Sequence, residues 1–213
     1  MEHMDEEILK QKKLLGQQEQ KITAAENLEK EAEESIYGDV VHIIGKETHF
    51  ERRDIPELGI SICMPESFFM LTDDIKHIIY PAGNTPSHVF AGEDINFQLA
   101  VSMTEHLIPK ERLKEFLKKA VQILEAVGPK VKITETSVEE KENFHIGIME
   151  FVSRAADMMV YNVQFCVSTK QGLLMGTVNF PSKYKTRMIP LAKQMIQSLE
   201  ITEEETDGID HIS

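Results

Sequence analysis

Two hydrophobic periods alternate along the middle of this chain, and the switches between them mark out its elements. Val40, Val41, Ile43 and Ile44 form an apolar run between Gly38 and Gly45, read as a first strand. Ile60 and Ile62 lead into Pro65, which ends the next strand, and Phe68-Phe69-Met70 resumes after the turn. Ile75 to Tyr80 reads as another short strand, closed by Pro81-Ala82-Gly83-Asn84. The cleanest alternation follows. Ile95, Phe97, Leu99, Val101 and Met103 share one face, expected to meet the core. Asn96, Gln98, Ala100, Ser102 and Thr104 share the other, expected to be wet or lightly covered.

The period then changes to that of a helix. Pro109 suits a first helical turn, where its missing N–H costs nothing. Leu113, Phe116, Leu117, Ala120, Val121, Leu124 and Val127 recur at the three-to-four spacing of one buried stripe, until Gly128-Pro129 stops it. Period two returns near Val131–Thr136 and again at Phe144, Ile146 and Ile148, with a turn at Arg154–Asp157. Met159, Tyr161, Val163, Phe165 and Val167 alternate up to Lys170-Gln171-Gly172, a hairpin signal with Gly172 at positive φ, and Leu174, Gly176, Val178 and Phe180 return. Tyr184, Met188, Leu191, Ala192, Met195, Ile196 and Leu199 then give one face of a closing helix. Pro190 inside that pattern predicts a kink, or a helix that properly starts just before it.

Short connections between Phe144 and Phe180 require antiparallel pairing, and helices from two separate places must cover the sheet. The expected fold class is α+β, an antiparallel sheet covered by helices as an α/β/α sandwich, with an N-terminal helical extension. Residues 37–201 form the single sandwich domain of that reading, 1–36 a polar helical extension or mobile arm, and 202–213 an acidic disordered tail. Residues 5–35 favour helix by composition. Ile8, Leu15 and Ile22 repeat every seven residues, but Gln11, Gln18 and Gly16 spoil the seam, so at most a weak homodimer would form through residues 5–35.

Charge sharpens this division. The net charge is −13, yet residues 1–36 carry ten acids against five bases and residues 200–213 six acids and no base. The interior is close to neutral. No basic stripe offsets the acidic ends, which argues against nucleic acid as a partner. No apolar stretch approaches the length of a membrane span, and the acidic start lacks the basic and apolar regions of a signal peptide. Cytoplasmic localisation is the expectation. Cys63 and Cys166 lie within apolar strands and read as buried free thiols.

Three features carry a resemblance. The first is the strand and turn Gly59-Ile60-Ser61-Ile62-Cys63-Met64-Pro65-Glu66-Ser67-Phe68. The second is the strand-then-helix unit over Ile95–Val127, and the third the ending Ile196-Gln197-Ser198-Leu199-Glu200-Ile201. Over about Leu58–Ile201 the chain resembles the PsbP-like superfamily, an α/β/α sandwich that includes a Ran-binding nuclear-import factor and bacterial domains of unknown function. The usual Trp of the opening turn is Phe68 or Phe69 here, and the chain has no Trp. The resemblance implies a fold and supplies no catalytic residue to transfer.

Candidate chemistry is sparse. His42, His49, His77, His88, His106 and His145 show no metal-ligand spacing, and no metal or cofactor is expected. Gly45-Lys46-Glu47-Thr48 lacks the upstream glycine and the following hydroxyl of a phosphate loop. Asp73-Asp74 and Gly92-Glu93-Asp94 read as turn chemistry, and neither cysteine has a neighbouring base. The chain has eleven methionines. Most suit gap-filling in the core, but Met158, Met159 and Met175 are the candidate contacts for a protein partner, because thioether surfaces accept varied apolar shapes. The expected function is a non-enzymatic protein-binding, adaptor or chaperone-like domain whose partner the sequence does not name. The alternative is a small-ligand or lipid-binding protein with a pocket between sheet and helix.

Overall fold

Among the described residues, twelve strands and three α-helices follow one another in the computed structural model. It describes residues 34–202 except Ile44, Ala82, Asp94, 127–130 and 156–157. The order is β1 (Val41–Ile43), β2 (Lys46–Thr48), β3 (Phe50–Ile55), β4 (Ile60–Pro65), β5 (Phe69–Met70), α1 (Asp73–Ile79), β6 (His88–Ala91) and β7 (Gln98–Thr104). Then come α2 (Leu113–Ala126), β8 (Val131–Glu140), β9 (His145–Arg154), β10 (Met159–Ser168), β11 (Leu173–Pro181), α3 (Lys185–Gln197) and β12 (Glu200–Ile201). The expected helix over 5–35 and the acidic tail beyond Thr202 lie outside the described residues, apart from Glu34 and Ser35.

The sheet at the centre has seven antiparallel strands in the order β5-β6-β7-β11-β10-β9-β8. Both of its faces are apolar. On one face sit α3 and a second sheet, β12-β4-β3, and the largest buried side chains gather there: Phe165 and Phe180 from the central strands, Ile60, Ile62 and Met64 from β4. On the other face two helices divide the work. α2 lays Leu113 and Leu117 over Met149, Cys166 and Leu173. α1 packs Ile75 and Ile79 over Val89, Ala91 and Ala100.

Three expectations are corrected. Residues 75–80 are not a strand but most of α1: Ile75 and Ile79 take the helical spacing on the covered side while Ile78 is exposed, Thr72 sits at the N-cap in extended conformation, and Asp73 and Asp74 occupy the first turn. Those acids are thus helix-starting groups rather than turn residues. A hydrogen bond from Lys76 holds the Asp73 carboxyl below its ordinary value. The long alternating strand begins at Gln98, not Ile95, because Ile95 adopts a left-handed φ of 47° and Gln98 Nε2 donates to its carbonyl at 2.5 Å. Its second face is buried at Gln98 and Ala100, the latter against the residues that α1 covers, while Ser102 and Thr104 are half-buried and Asn96 before the strand is exposed. The closing helix α3 runs from Lys185 to Gln197 with Pro190 inside it.

Gly172 turns the β10–β11 hairpin where the chain passes beside β7. An added Cβ would lie 1.8 Å from the Thr104 carbonyl oxygen, and φ is 154°. Gly176 has a different reason, since a Cβ there would lie 2.2 Å from the Phe165 ring.

Buried charge ties α3 to the main sheet. Lys193 Nζ lies 2.6 Å from Glu150 Oε1 and 3.2 Å from Glu135 Oε2, while Tyr161 donates to Glu150 Oε2 at 2.6 Å and shares a 3.0 Å hydrogen bond with Thr134. Glu150 is 2% exposed. Burial alone would raise its carboxyl, but hydrogen bonds from Lys193 and Tyr161 outweigh that and hold it below the ordinary value. For Lys193, burial would lower the ammonium, and its bonds to Glu150 and Glu135 raise it instead. At the outer side of α3, Gln194 Oε1 accepts from Ile36 N–H at 2.9 Å, and Arg187 reaches Glu34 Oε2 at 2.7 Å. The chain entering the domain is thereby clamped to α3, and Ile36 is part of the core.

Two outcomes follow. Gly172→Ala is expected to lower stability by about 3 kcal/mol, since the backbone at Thr104 must move, read as a lower urea midpoint with unchanged slope. Glu150→Ala, which leaves Lys193 without its buried partner, is expected to cost about 2 kcal/mol after allowing for the partial exposure of the lysine. Because the folded Glu150 value is depressed, its contribution is present above the ordinary carboxylate value and is lost as pH falls through the folded one. Wild type and Glu150→Gln should therefore converge in stability on acidification, and urea melts from pH 7 to pH 3 would show it.

Candidate functional site

One end of the sandwich carries an open cleft of about 570 Å³. Antiparallel pairing makes it. The end of β7, the start of β9, the end of β10 and the start of β11 all lie at this edge of the main sheet, and their connections rise beyond it. Leu107–Lys110, leading into α2, forms one wall. Asn143 and Phe144 come from the β8–β9 connection, and Ser168–Gln171 from the β10–β11 hairpin. The second sheet closes the far side with Leu58 and Gly59 before β4, and Ile201 and Thr202 from the last strand. Thr202 N–H donates to the Gly59 carbonyl at 2.9 Å, which joins those two segments.

The lining is apolar at its base and cationic at its rim. Leu58, Ile108, Phe144 and Ile201 supply the apolar surface, and Leu107 stands at the edge 70% exposed. Lys110 and Lys170 supply the formal charges, and no Asp or Glu occurs among the described lining residues. Ser168 Oγ is buried here and has no hydrogen-bond partner among the described residues. Thr169 is used internally: its hydroxyl donates to the Gly172 carbonyl at 2.8 Å and shapes the hairpin tip. Two smaller hollows adjoin the cleft through shared residues. One, of about 170 Å³, continues from Leu107–Pro109 along Phe116, and the other, of about 280 Å³, continues from Asn143 and Phe144 past Lys141 to Tyr37. Together they make an elongated surface.

The three methionines singled out in the sequence are not brought together. Met158 and Met159 are 38% and 48% exposed at the start of β10, the end of the sheet away from the cleft. Met175 pairs with Cys166, seven positions further along β10 and about 23 Å away at strand spacing. Met159 lies on the face of Tyr161, whereas Met175 packs with the residues under α2. None of the three is among the described lining residues of the cleft. The residues that do line it carried a faint signal, an apolar Leu107-Ile108 pair stranded in a loop before Pro109.

The other chemistry-bearing groups are used elsewhere. His42 contacts Glu34 at 3.0 Å, His88 lies 3.8 Å from Glu57, and His77 Nδ1 is 2.6 Å from the Asp73 carbonyl. Among the described residues, no three His, Cys, Asp or Glu side chains gather around one point. Cys63 and Cys166 are both buried free thiols. Burial pushes the Cys166 thiol up to about 12, the reverse of what a nucleophile needs. Among the described residues no helix is long and apolar enough to cross a membrane.

No protein-family profile matches the sequence. No curated protein matches it either. Solved structures do match in shape. The solution structure of cyanobacterial PsbP (CyanoP) from Synechocystis sp. PCC 6803 superposes with a TM-score of 0.53 at 10% identity, covering 71% of this chain and 92% of that one. The Ran-binding protein Mog1p of Saccharomyces cerevisiae gives a TM-score of 0.49 at 12% identity, covering 73% and 97%. The likeness to the cyanobacterial protein shows that the chain has a PsbP-like fold.

Proposed function

We propose that the chain is a protein-binding domain that acts without chemistry of its own and receives an extended apolar and acidic segment of a partner in the end cleft. The cleft itself carries this reading: in a chain of net charge −13, its lining holds two lysines, an apolar base and no described carboxylate. Apolar side chains of an incoming peptide would be desolvated against Leu58, Ile108 and Phe144. Its carboxylates would meet Lys110 at the rim, where charge sets orientation and encounter rate more than affinity. The elongated run from Phe116 to Tyr37 favours a chain segment over a compact molecule, although its two outer hollows are of mixed charge, with Glu115 beside Arg112 and Lys119 in one and Glu142 and Glu200 beside Arg52 and Lys141 in the other.

A small anionic or lipid-like ligand is the second reading. Its support is the volume, which falls within the roughly 300–1,000 Å³ of ligand pockets. It differs from the pocket between sheet and helix expected from sequence, because the cleft lies at the end of the sheet rather than beneath α2.

Leu107 separates folding from binding, since it is exposed and packs little. Leu107→Glu is expected to leave the urea midpoint within about 0.5 kcal/mol of wild type. On an array of peptides graded in apolar and acidic content, wild type should retain those rich in both, and the variant should bind them about ten-fold more weakly. Equal retention by both proteins would remove the cleft as the binding surface. A small molecule released from the native protein and seen by mass spectrometry, with no peptide retained, would favour the second reading.

A further inference from the structure

We infer that two copies of this chain associate edge to edge through β8, antiparallel, so that their main sheets become one. The surface is separate from the cleft, whose described lining takes nothing from β8. The inference therefore stands whether or not the cleft receives a peptide. β8 ends the strand order of the main sheet and, among the described residues, pairs with β9 alone. It is ten residues long and holds no proline. Backbone N–H and C=O groups that point away from β9 form an open row along it, and such a row is a template for one more strand.

Charge along the edge selects the occupant and the register. A symmetric pair sets each side chain opposite one on the same face, and the faces of β8 are fixed by its packing. Ile133 and Val138 join the cluster under α2, and Thr136 pairs with Met149 of that cluster. On the α3 face, Glu135 reaches Lys193, Glu139 accepts from Gln197, and Lys132 pairs with Val152. A register shift between Ile133 and Glu135 makes Thr134 the extra residue of a bulge. Centred on Thr136, two copies then pair Thr136 with itself, Glu135 with Ser137, Ile133 with Val138, Lys132 with Glu139 and Val131 with Glu140. Opposite charges and β-branched side chains meet, and no two acids are directly opposed. One step of the centre toward the N-terminus sets Glu135 against Glu135, and one step the other way sets Glu135 against Glu139. Two chains of net charge −13 also repel at long range, so the association is expected to be weak and to rise with concentration.

The test uses the full chain in sedimentation velocity at rising concentration, where monomer should give way to dimer. Lys132→Glu sets an acid against Glu139 at two places, and Glu139→Lys sets a base against Lys132 at two places. Each variant alone is expected to self-associate about ten-fold more weakly, two opposed pairs each contributing a few-fold. Mixed in equal amounts, the two variants regain both ion pairs, and dimer should return to the wild-type level. Register is read by cross-linking. Both native cysteines are buried, so an added thiol is the reactive one. Thr136→Cys should form a linked dimer in mild oxidant, since opposed Cα atoms about 4.5–5.5 Å apart suit a disulfide. Glu140→Cys, placed opposite Val131, should stay unlinked. A chain that remains monomeric at every concentration overturns the inference. So does a dimer indifferent to both charge variants, which would put the contact on another surface, or equal cross-linking from positions 136 and 140. Recovery in the mixture together with linkage at Thr136→Cys alone would establish it.

Discussion

A seven-stranded antiparallel sheet that is apolar on both faces has to be covered twice, and that constraint organises the molecule. The central strands pack Phe165 and Phe180 one way and Cys166 and Leu173 the other. Neither face can be left to water. The burial of one large apolar side chain is worth roughly 1.5–3 kcal/mol, so the two covers supply the gain that offsets ordering the chain. One face takes α3 with the small sheet of β3, β4 and β12. The other takes α1 and α2 side by side. Covers on both faces leave only the ends of the strands open. At one end the connections rise above the sheet and stop short of meeting, which is how the cleft arises without any residue dedicated to it.

Polar groups under the covers follow from the same constraint. A lone carboxylate at the Glu150 position would be costly, and its partners come from three directions: Lys193 on α3, Tyr161 on β10, and Thr134 through the tyrosine. A buried ion pair of this kind adds little net stability over an apolar pair of the same shape, because desolvation consumes most of the attraction. Its effect is positional. Lys193 can satisfy Glu150 only when α3 lies at one rotation and one height on the sheet. The helix in turn holds the entering chain through Gln194 and Arg187. A cluster with a lysine, a glutamate and a tyrosine within hydrogen-bond distance thus serves as a peg between layers.

The elements most legible in the sequence were those half-buried in one regular way. β10, with Tyr161, Val163, Phe165 and Val167 on one face, and α2, with its single stripe, display their periods openly. The misreadings have physical causes. β3 is an edge strand whose Glu51, Arg52, Arg53 and Asp54 face water or pair with polar neighbours, so only Ile55 is buried and no apolar alternation shows. Residues 75–80 are too short for a period of two to be told from one of 3.6, and Asp73-Asp74 after Thr72 was the discriminating signal. Ala100 and Gln98 read as lightly covered because their cover, α1, was taken for a strand. The methionines illustrate a further limit. Sequence composition counts side chains without saying that Met159 and Met175 lie on opposite faces and far apart along the sheet. The cleft was illegible for a related reason, since its lining comes from four connections and the last strand, whose meeting depends on the pairing of β7, β9, β10 and β11.

The distribution of charge gains meaning once the cleft is located. Acidic residues dominate both ends of the chain, and a molecule of net −13 repels acidic partners in general. A cleft with cationic rim groups and no described carboxylate is then a local exception, and local exceptions select. On the proposed reading, an acidic segment would be disfavoured elsewhere on the surface and admitted at this end, so discrimination would arise from repulsion outside as much as from attraction within. The apolar base adds a second requirement, because charge without Leu, Ile or Phe side chains would leave Leu58, Ile108 and Phe144 in water. On that reading a bound segment would have to satisfy both conditions.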